Sequence, residues 1–480
     1  MPGKITNPSK AFFWSFIAGS SNSITQFFIS IVLARLILPA EYGLIAMILV
    51  FINYSNAFID SGFGLAIIQK KEIDNQDLSS VFYLNITLSV FFYALLFFTA
   101  PLIAAFYGND IFIDLTRILA LNLIINACYI VPVSILKRNL DFKAQSKVGI
   151  VSNVISGIIA IYLGYLGFGV WALVLHSMLQ NLINGIYYVI ISGWIPGKIF
   201  NPERLKSLFR FSSKLLASSL IANTIDGLSN ILIGKYYSAR DLGIYQRANS
   251  FRLLPLVNAA SIIQRVVLTL FSRAQEDVNK LREGIKKLNL VTSLFVFPLY
   301  TYMFLNGSTI IPAVFGINWI DSVVYFELLC IGSFFYLLNV PNTSAYFAIG
   351  RSDILLKLET TKKILMLLSL SALYFGIIIF AVVVVFTEIL IFFINSYYSG
   401  KFFNYSSAAQ LKDISHLVLP SACIGLVIYI TNILLELNIY LKLSLDIFIS
   451  VPLYIVIINL IKSPAWEHVK FVYYQLKNKN

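Results

Sequence analysis

Residues 34–43 read ARLILPAEYG, and residues 234–243 read GKYYSARDLG. At one constant offset Arg35 falls on Lys235, Glu41 on Asp241 and Gly43 on Gly243. Each stretch carries a base, then an acid, then a glycine, and each joins one long apolar run to the next. Two further echoes keep the same order. IAAFYG at 103–108 resembles IPAVFG at 311–316, and Val131-Pro132 resembles Val340-Pro341. Their offsets are slightly larger than the first, which one small insertion reconciles. The chain therefore reads as two copies of one unit.

Composition says what kind of unit this is. Of 480 residues, 58% are hydrophobic and 12% are charged, and the mean hydropathy is +0.80. A soluble protein has roughly 25% charged residues. Apolar runs of about 20 residues recur along the whole sequence, the length that crosses a bilayer as a helix. The expected fold is all-α and polytopic, with about 14 transmembrane helices. The spans fall near 11–38, 43–66, 80–105, 111–136, 148–167, 169–193, 212–236, 249–271, 288–314, 322–349, 415–437 and 438–461, with two more inside 363–396. That last stretch is too long for one crossing, since about 34 residues make about 50 Å of helix. A division near Gly376–Ala381 resolves it.

Six spans per copy is an even number, so both copies point the same way and a parallel pseudo-two-fold along the membrane normal relates them. The expected organisation is a six-helix lobe over 1–197, a second over 198–400, an added two-helix hairpin over 401–462 and a polar, basic tail over 463–480. The net charge of +13 reads as loop charge rather than a nucleic-acid surface. About 28 Lys and Arg lie on the side of the N-terminus and about seven on the other, which makes both termini cytoplasmic. The start, MPGKITNPSK, precedes an apolar run without a cleavage site and reads as the flank of an uncleaved first span. Cys128, Cys330 and Cys423 lie inside apolar runs, with no metal-ligand spacing and no case for disulfides. Trp14, Trp171, Trp194, Trp319 and Trp466 fall near span ends, as an aromatic belt requires.

Polar residues recur at helical spacing on the helices beside the repeated turn. The first span has Asn22, Gln26 and Ser30, and the second Asn53, Asn56 and Asp60. The seventh has Ser219, Asn223, Asp226 and Asn230, and the eighth Asn258, Ser261 and Arg265. Residues so spaced share one face of a helix. A polar face in hydrocarbon has to meet protein or water, so these four helices are expected to line a hydrated cavity. Single Asn and Ser residues also glue helices together at about 0.6 kcal/mol each, and snorkelling to lipid phosphate is the bland role for Arg35, Lys235, Arg247 and Arg252. Bases in excess on the outer side nevertheless point to an anionic task, and Arg240, Arg247 and Arg252 place it more in the second copy. The substrate-binding candidates are Arg35, Lys235, Arg247, Arg252, Arg265, Asn22, Gln26, Asn53, Asn56, Asn223, Asn230 and Asn258. Asp60 and Asp226 are the ion-coupling candidates, and Glu388, mid-span in the twelfth helix, is a weaker functional candidate.

No Walker-type loop, zinc spacing or nucleophile motif is present. Hydrolysis of ATP within this chain is therefore excluded, and no cofactor or metal is expected. Energy would come from an ion gradient (H+ or Na+), the membrane potential or substrate supply. No loop exceeds about 18 residues, which speaks against a membrane enzyme acting on polyprenyl-linked sugar. A drug or small-metabolite antiporter of the same architecture would need a narrower and more acidic cavity.

The stretches LARLILPAEYGLIAMILVF and FIDSGFGLAIIQKKEIDNQDLSSVFYLNI resemble the opening of Wzx-type polysaccharide exporters, the O-antigen and colanic-acid flippase branch. So do RNLDFK, IDGLSNILIGKYYSARDLGIYQRA and FGINW. The resemblance runs from about Phe12 to Arg351 and reaches the last four helices by hydropathy alone. It implies two six-helix lobes facing each other across a central cavity, in a superfamily shared with multidrug exporters and lipid II flippases. It implies an undecaprenyl-diphosphate-linked oligosaccharide as substrate, moved across the bacterial inner membrane by alternating access. The polysaccharide polymerase and chain-length machinery would then be partners, with membrane lipid around the polyprenyl tail and no nucleic acid.

Overall fold

The computed structural model describes residues 8–272, 277–435 and 437–477, and among these it contains helices and no strand. Seven helices open the chain: α1 (Pro8–Leu36), α2 (Pro39–Asp60), α3 (Phe63–Gln69), α4 (Asn75–Tyr107), α5 (Ile111–Arg138), α6 (Phe142–Tyr165) and α7 (Val170–Ser192). Then follow α8 (Pro202–Tyr236), α9 (Ala239–Ser272), α10 (Val278–Leu305), α11 (Gly307–Phe315), α12 (Ser322–Ala348), α13 (Ser352–Ser369) and α14 (Ile377–Phe403). The chain closes with α15 (Ser407–Ser415), α16 (Val418–Leu434), α17 (Ile439–Leu460) and α18 (Pro464–Lys477).

Each expected span corresponds to one helix or one broken pair. α2 with α3, α10 with α11, and α15 with α16 are the broken ones. The long stretch of 363–396 divides at Gly376, inside the expected window. Among the described residues nine helical stretches are long and apolar enough to cross a membrane, and the pair α15–α16, bent by 54°, makes a tenth. α8, α9 and α13 carry charged and amide residues throughout, which is why hydropathy alone passes over them.

Packing divides the chain into two compact units, residues 1–244 and 245–480. The division falls later than the expected one at 197, because α8 packs on α2, α3 and α4. Small residues allow that approach: a Cβ on Gly227 would stand 2.9 Å from Val50, and one on Gly234 would stand 2.6 Å from Met47. In the second unit α12 packs on α10 and α14, and α10 also carries α16 and α18. The tail is thus not free over 464–477. It forms α18, whose Ala465 is buried and whose Trp466 joins a core with Leu294, Ile424 and Ile458.

The repeated turn is the tightest place in the first unit. Arg35 and Lys235 fall in the last turn of α1 and of α8, where a cation suits the negative helix end. Glu41 and Asp241 are both third residues of the following helix. The Glu41 carboxylate accepts Leu38 N–H at 3.0 Å and also Val170 N–H at 3.1 Å, so it caps α2 and α7 together. Asp241 accepts the Ser238 hydroxyl at 2.6 Å, and Ser238 in turn accepts Asp241 N–H at 3.1 Å. The two glycines then meet reciprocally. A Cβ on Gly43 would fall inside the Ala239 carbonyl, and a Cβ on Gly243 would fall inside the Pro39 carbonyl. Positions 39 and 239, like 43 and 243, are related by the offset of the sequence repeat.

Backbone against backbone leaves no room for a methyl group at either site. Gly43→Ala and Gly243→Ala are each expected to lower stability by about 1–3 kcal/mol through overpacking, read as thermal unfolding in detergent. Gly167→Ala serves as the control. It has φ +83 but nothing within 4 Å of the added Cβ, so it should cost only about 1 kcal/mol of backbone strain.

Candidate functional site

The bases marked out by the sequence fall into two groups. Arg35, Lys235 and Arg240 are exposed at helix ends. The Lys235 ammonium donates to the Phe106 carbonyl and lies 4.6 Å from the centre of that ring. Arg247 and Arg252 are instead built into the second unit. The Arg247 guanidinium lies over Phe315 at 4.9 Å and over Trp319 at 4.7 Å, which is the part FGINW plays here. Trp319 itself is fully buried rather than interfacial. Arg252 is 6% exposed. It donates to Asn249 Oδ1 at 3.0 Å and to the Ser333 hydroxyl at 3.3 Å, and its own carbonyl accepts Tyr300 OH at 2.7 Å.

The amide candidates separate likewise. Gln26 and Asn53 are exposed, and Asn56, Asn223 and Asn230 are half-buried. Asn22 is tied inward, its Oδ1 accepting from Asn153 on α6. Asp60 ends α2, and its carboxylate accepts Gly64 N–H at 3.2 Å. Ser61 and Gly62, at φ 43 and 77, carry the chain through the break into α3. The DSGFG stretch is therefore a capped helix break. RNLDFK is a second built turn. Arg138 donates to the carbonyls of Ile67 (2.8 Å), Lys70 and Lys71 (2.7 Å), closing the end of α3, and Asp141 caps α6 through Ala144 N–H at 3.0 Å. The side chains of Asp226, Asn258 and Arg265 lie outside those described.

Two polar assemblies were not anticipated. In the first unit an amide network links four helices. Gln180 Nε2 donates to Asn153 Oδ1 at 2.6 Å, and Asn153 donates on to Asn22. Asn181 Nδ2 donates to Asn122 Oδ1 at 3.1 Å, Asn122 donates to Ser177 at 3.3 Å, and Tyr129 OH donates to Asn181 at 3.1 Å. The sequence signal was on α7, where Ser177, Gln180, Asn181 and Asn184 share one face.

In the second unit a cavity of about 150 Å³ opens between α12, α13 and α14. Its polar lining includes Tyr336, Asn339, Thr343, Glu359, Lys362, Glu388 and Asn395. Asn395 Nδ2 donates to Asn339 Oδ1 at 2.9 Å. Glu388 is 8% exposed, and its Oε2 has no hydrogen-bond partner among the described residues. A second, larger hollow of about 490 Å³ runs along α10, α16 and α17, lined by Leu294, Phe295, Leu299, Ile424, Val451 and Ile455 among others. It is almost wholly apolar.

The sequence profile of the polysaccharide biosynthesis protein family matches residues 32–324. The chain is 31% identical over 309 residues to the teichuronic acid biosynthesis protein TuaB of Bacillus subtilis (strain 168), covering 63% of each. It is 27% identical over 347 residues to the lipopolysaccharide biosynthesis protein WzxC of Escherichia coli (strain K12), covering 70% of this chain and 68% of that one. With the succinoglycan biosynthesis transport protein ExoT of Rhizobium meliloti (strain 1021) the identity is 25%, over 64% and 62%. The match to TuaB and to ExoT thus spans less than two thirds of either relative. Among solved structures, the lipid II flippase MurJ in an inward closed conformation shares the fold at a TM-score of 0.75 and 17% identity, over 94% of this chain and 98% of that one. An inward-facing multidrug resistance transporter of the MATE family shares it at 0.59 and 14%, over 83% and 98%.

The two groups of bases differ in what removing them does to folding. Arg252→Met, which strands buried acceptors, should lower stability by about 1–3 kcal/mol. Lys235→Met at the exposed helix end should stay within about 0.5 kcal/mol. Denaturant unfolding of both variants in detergent checks the contrast, and equal stabilities would contradict it.

Proposed function

The chain belongs to the family of polysaccharide biosynthesis proteins, and from that footing we propose that it is a flippase for a lipid-linked oligosaccharide. The substrate is a polyprenyl-diphosphate-linked repeat unit of an exported polysaccharide, of O-antigen, capsule or exopolysaccharide kind. It passes from the cytoplasmic to the outer leaflet of the bacterial inner membrane, with both termini of the carrier cytoplasmic. The observation that carries this reading is the combination, in one membrane chain, of amide-rich helix faces with a long apolar hollow. Exposed amides such as Gln26 and Asn53 suit sugar hydroxyls. The exposed bases Arg35, Lys235 and Arg240 suit a diphosphate as charge-assisted donors. The apolar hollow along α10, α16 and α17 has room for part of a polyprenyl chain.

Transport against a gradient needs a coupled step, and a buried acid is the natural place for it. Glu388 joins Asp60 and Asp226 as a coupling candidate and is the strongest of the three. Its unpartnered carboxylate oxygen and its polar cavity would take a proton or a small cation. The polysaccharide polymerase and its chain-length partner would receive the product.

Purified protein in proteoliposomes, loaded with labelled lipid-linked oligosaccharide, tests the reading by the access of an impermeant probe to each leaflet. Label should reach the far leaflet; label that never changes leaflet would refute the flippase, and chain growth would make the protein an enzyme. In the same assay Glu388→Gln should slow transfer about tenfold and flatten its dependence on pH or Na+. Asp353 gives the matching control. Its hydrogen bonds with Arg351 hold its carboxyl down at about 2, against an ordinary value near 3.9. A depressed carboxylate contributes stability above its unfolded value and loses it only as pH falls toward the folded one. Asp353→Asn should therefore leave the pH profile between about 5 and 8 unchanged.

A further inference from the structure

The added hairpin holds a second buried acid, separate from the Glu388 cavity. Asp446 on α17 is fully buried. Its Oδ1 accepts the Thr431 hydroxyl of α16 at 2.6 Å, and its Oδ2 has no partner. The residue beside Thr431 is Asn432, whose Nδ2 donates to the Leu305 carbonyl at 3.3 Å. Asn432 Oδ1 is buried and also unpartnered. Leu305 ends α10, and the next residue, Asn306, stands in the break before α11. Asn306 is 0% exposed, and neither its Oδ1 nor its Nδ2 has a partner. One turn earlier Tyr302 OH donates to the Leu443 carbonyl at 3.2 Å, tying α10 to α17 just ahead of Asp446.

Three unpartnered oxygens, one carboxylate and two amide, thus lie on α17, on α16 and just past the end of α10, at the seam that the Thr431–Asp446, Asn432–Leu305 and Tyr302–Leu443 bonds tie together. A buried carboxylate oxygen with nothing to answer it is costly inside a membrane. The charged groups nearby do not answer it. Glu327 on α12 is engaged with Ser308 N–H at the start of α11. Lys442, one turn before Asp446, makes no ion pair among the described residues. Hard oxygen donors at a helix break suit an alkali cation. One carboxylate balances one positive charge, and no group of three or more His, Cys, Asp or Glu that could hold a metal ion occurs among the described residues.

We propose that this seam is a binding site for one monovalent cation, Na+, held by Asp446 Oδ2 with the amide oxygens of Asn306 and Asn432. The bound ion seats the α16–α17 hairpin against α10, along the flank of the apolar hollow, which Tyr302 and Ser450 also line. The site does not depend on the flippase reading, since it concerns ion binding and hairpin docking alone.

The test uses full-length protein in nanodiscs, unfolded thermally in choline chloride, NaCl or KCl at constant ionic strength. NaCl should raise the unfolding temperature saturably. Asp446→Asn should abolish the rise, and Asn306→Ala and Asn432→Ala should each move the Na+ midpoint upward by about tenfold. Asp353→Asn, at an exposed ion pair with Arg351, should keep the rise intact, which separates this site from the loss of any carboxylate. If Asp446→Asn does not fold, the two amide variants decide, and unchanged midpoints in both overturn the proposal. Stability of the parent protein that ignores Na+, or that follows pH alone in choline, overturns it as well. A rise in KCl equal to that in NaCl overturns the assignment to Na+.

Discussion

Two helix starts crossing backbone to backbone set the terms for the first unit. At Gly43 and Gly243 the approach leaves no space for a Cβ, and each glycine faces the carbonyl four residues before its counterpart, Ala239 for Gly43 and Pro39 for Gly243. Such closeness fixes what can stand around it. The helices must begin right there, so an acid three residues in caps each one, and a base closes the helix before. The base–acid–glycine order is thus the local grammar of one sharp helix–turn–helix written twice. It explains the spacing without calling on any ligand.

The second constraint is the poverty of hydrocarbon as a solvent for polar groups. The chain meets it in two ways. In the first unit several amides satisfy one another, Gln180 to Asn153 to Asn22 on one side and Tyr129 to Asn181 to Asn122 on the other. Parts of the second unit do the same, as in the reciprocal pair Gln410 and Asn342 at 3.0 and 3.2 Å. Elsewhere in that unit the accounts stay open. Glu388 Oε2, Asn395 Oδ1 and Asp446 Oδ2 are buried with no partner among the described residues. Open valences in hydrocarbon are costly, so a buried carboxylate oxygen without a partner is the first place to look for a use.

What the sequence made legible follows from the same two constraints. Span positions came from length and hydropathy, and Gly376 broke the long stretch where a bilayer is too thin for one helix. The repeated turn was legible because its residues are few and fixed by backbone geometry. Arg247 and Arg252 were harder. Their expected outer-side position breaks the charge bias, which points to an anion, yet in the structure Phe315, Trp319, Asn249 and Ser333 surround their guanidinium groups. Nothing in linear order places an aromatic pair some 70 residues away over a guanidinium. The amide network was missed for a similar reason: the partners of Asn122 and Asn153 lie on α7 and α1, and nothing in linear order pairs them.

The boundary between units was the least legible feature, and its cause is physical. Counting spans places α8 with the second copy, as the repeat requires. Packing places it with the first, because Gly227 and Gly234 let it lie directly on α2. Sequence homology between halves and compactness in space are different partitions of one chain. A helix that belongs to one by descent and to the other by contact gives up its glycines to make that contact close. At those two glycines the contact is short-range and dispersive, against Val50, Tyr54 and Met47 side chains.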